Sequence, residues 1–202
     1  FHNSGVDASA GKDAIPDVPI PFTKWPNSVI GHGEPIPSYL DYTNSTDYER
    51  ELGVVIRPGG RGLSKKAALA HVYGYTIIND ATARTLQNRH RQWFLGKSLD
   101  GYCPMGPCIV TADEVPDVKK LRLITRVNGE VRQNALLGQL IFDIPALIET
   151  FSRVMTLDAG DLIATGTCAG VGIGFNPPKF LTKGDCVAIT IAPIGTLENP
   201  VD

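Results

Sequence analysis

Glycine and proline interrupt this chain so often that long helices have little room. There are 21 Gly and 15 Pro among 202 residues, which predicts many turns between short elements. The segments between them read mostly as strands. Residues 47–57 are polar first and then apolar, ending Leu52-Gly53-Val54-Val55-Ile56. Tyr73 to Asn79 and Asp161 to Thr165 are further buried strands, and Cys108 to Thr111 is a short one following an irregular stretch over 94–110. Residues 121–128 alternate and run into Asn128-Gly129, a strong hairpin signal, with the return strand starting at Val131. Asp185 to Ile191 is one more strand. Three helices are predicted. One runs from Lys65 to Val72 after a Ser64 cap, and one opens at Asp80 and reaches about Trp93. The third covers 144–156, where Asp143 is the N-cap, Pro145 lies in the first turn, and Leu147, Ile148, Phe151, Val154 and Met155 fall at helical spacing. Strands clustered around hairpins, with no long βαβ alternation, make an α+β fold that is mainly β, with peripheral helices.

Hydrophobic residues make up 43% of the chain and charged residues 20%, enough to bury a core without disulfides or a structural metal. A net charge of −2 gives no basic field for nucleic acid. No apolar run approaches the roughly 18 residues of a membrane helix, so no membrane partner is expected. Cys103, Cys108, Cys168 and Cys186 form no C-x-x-C pair. They read as reduced thiols of a cytoplasmic protein, and a mitochondrial one is not ruled out. The chain does not open on Met, so its N-terminus is expected to be incomplete.

Two glycine-rich segments fail as nucleotide loops. Gly96-Lys97-Ser98 has Arg91 where the phosphate-binding pattern needs glycine, and no helix follows it. Gly166 to Gly174 follows a strand, but Phe175-Asn176-Pro177-Pro178 forbids the helix that would hold a pyrophosphate. The four histidines are scattered and read singly as surface residues.

Chemistry concentrates in carboxylates. Glu49 and Glu51, at i and i+2 of a strand, point to one face about 7 Å apart. A solvated strand end would explain them, but Asp80 lies where a second buried strand ends. If the two strands pair, the three acids converge. Three hard oxygen ligands without His or Cys suit Mg²⁺, with Mn²⁺ or Ca²⁺ as alternatives. Arg84 and Gln87 follow Asp80 at i+4 and i+7 on one helix face, and Lys97 adds a cation in the next loop. An Asp80–Arg84 surface pair, a solvated Gln87 and a plain loop Lys97 are the uneventful alternatives. Cations beside a metal suit a chelating 2-oxo carboxylate.

The ordered motifs D-Y-E-x-E-L-x-V-V-I (47–56), Y-x-x-x-N-D-x-x-A-R (75–84), G-K-S-x-D-x-x-x-P-x-G-P (96–107), V-N-G-E-x-x-Q (127–133) and G-D-L-I-A-T-G-T-x-A-G-V-G (160–172), with Phe22-Thr23-Lys24-Trp25-Pro26-Asn27-Ser28 upstream, resemble the fumarylacetoacetate hydrolase family from about residue 20 to the C-terminus. The resemblance implies a mixed β-roll, a homodimer, and a divalent metal held by Glu49, Glu51 and Asp80. It implies that Arg84, Gln87, Lys97 and Thr167 face the substrate, a 2-oxo or 2,4-dioxo carboxylate. Residues 1–20 then read as a partial N-terminal lid and 21–202 as one catalytic domain. The family's lid carries H-x-x-E acting on water. His2 matches its histidine, but Gly5 stands at the glutamate position, Asn134 to Gln139 replace the usual small polar residues, and Cys168 replaces a common proline.

These features predict a metal-dependent hydrolase that cleaves a C–C bond of an acylpyruvate or 2,4-dioxo acid through an enolate. Lys97 and Arg84 would hold the carboxylate, Gln87 would position a water, and His2 would deprotonate it. The alternative is decarboxylation or keto–enol isomerisation of oxaloacetate-like acids at the same metal, which the altered lid favours. The other alternative is a metal-binding scaffold without catalysis.

Overall fold

The computed structural model describes residues 16–39 and 42–202. In chain order its elements are β1 (Val29–Ile30), β2 (Thr46–Asp47), β3 (Arg50–Ile56), β4 (Val72–Asn79), β5 (Thr82–Ala83), α1 (Arg84–His90), α2 (Phe94–Lys97), β6 (Cys103–Thr111), β7 (Arg122–Val127), β8 (Glu130–Leu136), α3 (Ile144–Val154), β9 (Leu162–Ala164), β10 (Cys186–Ile191) and β11 (Gly195–Pro200).

The first sheet has the order β1-β6-β4-β3-β9 and the second β11-β10-β7-β8, while β2 and β5 make a separate pair. Among the described strands β1 and β6 pair in parallel and the other strand pairs are antiparallel. Side chains of both sheets and of α3 share one core, among them Leu52, Val54, Ile77, Leu123, Ile148, Ile189 and Leu197. This is the expected mainly-β mixed fold with small helices outside it.

Period-2 alternation explains the hairpins. Asn128 and Gly129 both take positive φ, at 51° and 83°, the signature of the turn that joins β7 to β8. The Asn128 amide also donates to Asp185 at 2.7 Å, tying that turn to the start of β10. In the first sheet Gly53 is forced by its partner strand. A Cβ there would lie 2.8 Å from Ile78 Cδ1 and 2.9 Å from Thr76 Cγ2. In α3, Asp143 accepts from the Ala146 N–H at 3.0 Å as the N-cap, and Leu147 and Ile148 face the core.

Three local expectations are corrected. Asp80 does not open a helix: Thr82 and Ala83 pair with Asp47 and Thr46, which holds the backbone extended until α1 starts at Arg84. The helix expected after Ser64 is a turn followed by a 3-10 turn over Ala68–His71, because only Ala68 of that turn is buried and no apolar stripe supports more. The irregular stretch over 94–110 is α2 and the nine-residue strand β6. Pro104 and Pro107 are tolerated in β6 because its partners are β1 at one end and a register-shifted β4 at the other. None of the four cysteines is disulfide-bonded. Among the described residues no helix is long and apolar enough to cross a membrane. His2 lies outside the described residues.

Candidate active site

The β3–β4 pair builds the acidic cluster. Arg50 and Asn79 stand opposite each other at the end of the ladder. Just beyond it, the Asp80 N–H donates to the Glu49 carbonyl at 2.8 Å, and the Asn79 side chain accepts from the Glu49 N–H at 3.0 Å. The chain's exit from β4 is thereby stitched to its entry into β3. Glu49, Glu51 and Asp80 are 4%, 3% and 0% exposed, and each offers a carboxylate oxygen within 4.8 Å of the other two.

Buried carboxylates are tolerated only when compensated, and here the compensation is uneven. Glu49 places Oε1 2.6 Å from Arg84 Nη2 and Oε2 2.7 Å from Lys97 Nζ. Asp80 meets Lys24 Nζ and Lys97 Nζ, each at 2.6 Å. Among the described residues no cation pairs with Glu51; its Oε2 accepts the Gly166 N–H at 2.7 Å. Burial raises the Glu49 pKa, but Lys97 and Arg84 outweigh it and hold the carboxyl well below its usual range. Burial, then Asp80 and Glu49, push Glu51 up to about 8. Burial works against the Lys97 ammonium, yet Asp80 and Glu49 keep its pKa above the usual lysine value.

The cluster opens into a cavity of about 720 Å³. Its polar end is formed by Glu49, Glu51, Asp80, Lys24 and Lys97, with Thr165 and Gly166 beside them. Its other end is apolar, with Phe142, Leu147, Phe151, Met155 and Ile163. The Phe22 ring centroid is 5.0 Å from Lys97 Nζ, a cation–π contact that shields the ammonium. Phe22 packs edge-on against Trp93 at 5.5 Å, and the Trp25 N–H donates to Ser98 Oγ at 3.1 Å. These contacts hold the proline-rich segment 16–26 over the cluster.

The three acids and Lys97 therefore come together at the cavity. Arg84, Gln87 and Thr167 are buried and are not among the residues lining it. Arg84 stands behind Glu49, with Nε 2.8 Å from Asp47 Oδ2 and Nη1 3.2 Å from Gln87 Oε1. Thr167 Oγ1 accepts from Gln133 Nε2 at 2.9 Å. The expected alternative of an Asp80–Arg84 pair is replaced by these contacts. The sequence pattern marks no role for Lys24. A single lysine in a proline-rich stretch gives no periodic signal, and the resemblance over Phe22 to Ser28 was its one trace.

The donor set fits a hard divalent cation: three clustered carboxylate oxygens, with no sulfur or imidazole among the described residues of the cluster. Lys24, Lys97 and Arg84 face Asp47, Glu49, Glu51 and Asp80. With all seven ionised the site carries one excess negative charge, less than the three acids alone would suggest.

The chain is similar to several known proteins. Oxaloacetate tautomerase YisK of Bacillus subtilis (strain 168) is 55% identical over 201 residues, covering 100% of this chain and 66% of that protein. A fumarylacetoacetate hydrolase structure from psychrophilic Exiguobacterium antarcticum superposes with a TM-score of 0.87 at 49% identity, over 90% of this chain and 65% of the other. A 2-hydroxyhepta-2,4-diene-1,7-dioate isomerase from Mycobacterium marinum gives 0.82 at 42%, over 92% and 69%. The chain thus spans slightly under two thirds of the first two. Residues 2–202 match the C-terminal fumarylacetoacetate (FAA) hydrolase family, and with this fold and acidic cavity the chain belongs to that family.

Proposed function

We propose that the chain carries the active site of a divalent-metal-dependent enzyme that interconverts keto and enol forms of a 2-oxo carboxylate. The observation that carries this reading is the buried trio of carboxylate oxygens within 4.8 Å at the lysine-lined end of a cavity. Glu49, Glu51 and Asp80 would hold the cation, Mg²⁺ or Mn²⁺ by donor chemistry. Bound there, it supplies electrophilic stabilisation of the oxyanion that develops on a 2-oxo group. Lys97 and Lys24 present ammonium donors at the same end and neutralise the substrate carboxylate. Arg84 and Gln87 act from behind Glu49 rather than on the substrate. Thr165 and Gly166 fix the wall against which the planar acid lies. The segment 16–26 keeps water from the ammonium of Lys97.

Support comes from the relatives whose names specify a tautomerase and an isomerase. Proton relocation also demands less of a water-activating pair than hydrolysis does, and His2 has no glutamate three residues on. Hydrolysis of an acylpyruvate remains the second reading, favoured by one observation: the apolar wall of Phe142, Leu147 and Phe151 has room for an acyl group. Decarboxylation would use the same groups. A homodimer and a cytoplasmic location are also proposals, checked by analytical ultracentrifugation and by fractionation.

The test follows the enol absorbance of oxaloacetate with Mg²⁺, alongside mass spectrometry of oxaloacetate and acylpyruvate products, using the purified protein. Accelerated decay of the enol, abolished by Glu51→Gln, is the expected result. Intact oxaloacetate enol with cleaved acylpyruvate would move the assignment to the hydrolase. Metal binding with no turnover of either acid would leave the scaffold.

A further inference from the structure

Asp47 opens the D-Y-E-x-E motif, yet it neither lines the cavity nor belongs to the carboxylate trio. It is fully buried. β2 carries it, and pairing of Asp47 with Thr82 in β5 places it beside the first turn of α1. Its two oxygens accept four hydrogen bonds. Oδ1 takes the Tyr48 N–H at 2.9 Å and the Gly172 N–H at 2.6 Å. Oδ2 takes the Ile173 N–H at 3.0 Å and Arg84 Nε at 2.8 Å. Only an ionised carboxylate offers that many acceptor positions. An asparagine would turn a donor toward one of those N–H groups.

The glycine-rich segment that fails as a nucleotide loop therefore has another use. Its N–H groups at Gly172 and Ile173 grip a carboxylate of the chain itself. The approach is tight enough to require glycine: a Cβ on Gly172 would lie 2.7 Å from Asp47 Oδ1 and 2.4 Å from the Lys179 carbonyl.

From Asp47 the connection runs through one side chain. With its Nε on Asp47, the Arg84 guanidinium directs Nη2 to Glu49 Oε1 and Nη1 to Gln87 Oε1. The guanidinium charge is thus divided between Asp47 and Glu49. Take away the charge of Asp47 and Arg84 answers to Glu49 alone. It then competes with any cation for that carboxylate, and the site loses one negative charge. Both effects have the same sign.

We infer that Asp47 is a positioning residue that, through Arg84, sets the availability of Glu49 to the metal. The inference rests on the reading of Glu49, Glu51 and Asp80 as a metal site. Partners that orient ligating groups typically change metal affinity by about 10–100-fold when mutated.

The test is Mn²⁺ binding followed by electron paramagnetic resonance, with no substrate present, on wild type, Asp47→Asn, Arg84→Gln and the double variant, each with a melting curve. Asp47→Asn is expected to weaken Mn²⁺ by about tenfold or more, and that loss is expected to shrink to about threefold or less on the Arg84→Gln background. A purely structural Asp47 would lower the melting temperature and leave the affinity of the folded protein unchanged, which overturns the inference. So does a loss that persists in full without Arg84. Wild type that binds no Mn²⁺ defeats the metal reading itself. Should Asp47→Asn not fold, the Arg84 Nε–H proton of wild type decides by NMR: slow exchange near neutral pH agrees with the grip of Asp47, and free exchange overturns it.

Discussion

Lys24 and Asp80 lie 56 residues apart in sequence, and the ammonium of one rests 2.6 Å from the carboxylate of the other. Lys24 also donates to the Ala81 carbonyl at 3.2 Å and to the Lys97 carbonyl. A Pro-rich segment with no regular structure is thereby fastened across the strand end that carries Asp80, one of the three proposed metal ligands.

Lys24→Met separates two roles. Removing a cation that competes for Asp80 tightens Mn²⁺ binding, while removing an anion-binding group weakens the substrate. The expected outcome is a lower Mn²⁺ dissociation constant together with a kcat/KM reduced by roughly 10²-fold or more. Metal titration and steady-state kinetics on the same preparation check it. Weakened binding of both metal and substrate would indicate that Lys24 only braces the segment.

At the proposed metal site, loading would be linked to protons at Glu51. Its carboxyl is pushed up to about 8 in the metal-free protein, against about 4.3 in an unfolded chain. Between those values the folded state holds a proton that the unfolded state lacks. Stability of metal-free protein therefore falls as pH rises through that window. A cation replaces the proton, so Mg²⁺ is expected to flatten the trend and to release protons on binding below pH 8. Melting curves from pH 5 to 9, in EDTA and in Mg²⁺, measure both. Glu51→Gln removes the slope in EDTA.

Oxalate, a planar dianion with the shape of an enolised 2-oxo acid, should stabilise the protein only with metal present. At a concentration 100 times its dissociation constant the gain is about 2.7 kcal/mol, a shift of roughly 5–10 °C for a domain of this size. Differential scanning calorimetry with Mg²⁺, oxalate and both reads it. Equal stabilisation by oxalate in EDTA would place the anion on the lysines alone.

The apolar end of the cavity sets a chain-length preference. If the acyl arm of a 2,4-dioxo acid reaches Phe142 and Phe151, each added methylene lowers KM or Ki by up to about fourfold, from roughly 0.8 kcal/mol of burial per CH₂. Phe151→Ala should reduce that gain while leaving oxaloacetate kinetics within about twofold. A flat series of acetyl-, butanoyl- and hexanoylpyruvate would show that the arm points elsewhere.

Much of this was legible in the chain, and the reasons are local. The alternation of residues 121–128 and the Asn128-Gly129 turn encode β7 and β8 directly. The apolar spacing at Leu147, Ile148 and Phe151 encodes α3. Glu49 and Glu51 share a face because strand side chains alternate, and Asp80 joins them because β3 and β4 pair, in an antiparallel ladder. What escaped was made by contacts distant in sequence. β1, β2 and β5 have two residues each, too few to show a period, and the last two displace the helix start from Asp80 to Arg84. Lys24 and Asp47 matter through partners 56 and 37 residues away. The burial of Arg84 follows from those partners, since an i,i+4 count on a helix places it at the surface.

The lysines around the acidic trio have a last consequence, for the protein's life before its ion arrives. Because Lys24 and Lys97 already quench most of the repulsion among Glu49 and Asp80, a newly made chain needs no cation to close over this pocket. If the proposed metal site holds, scarcity of the divalent cation would leave a folded, idle protein, and supply alone would restore it without new synthesis.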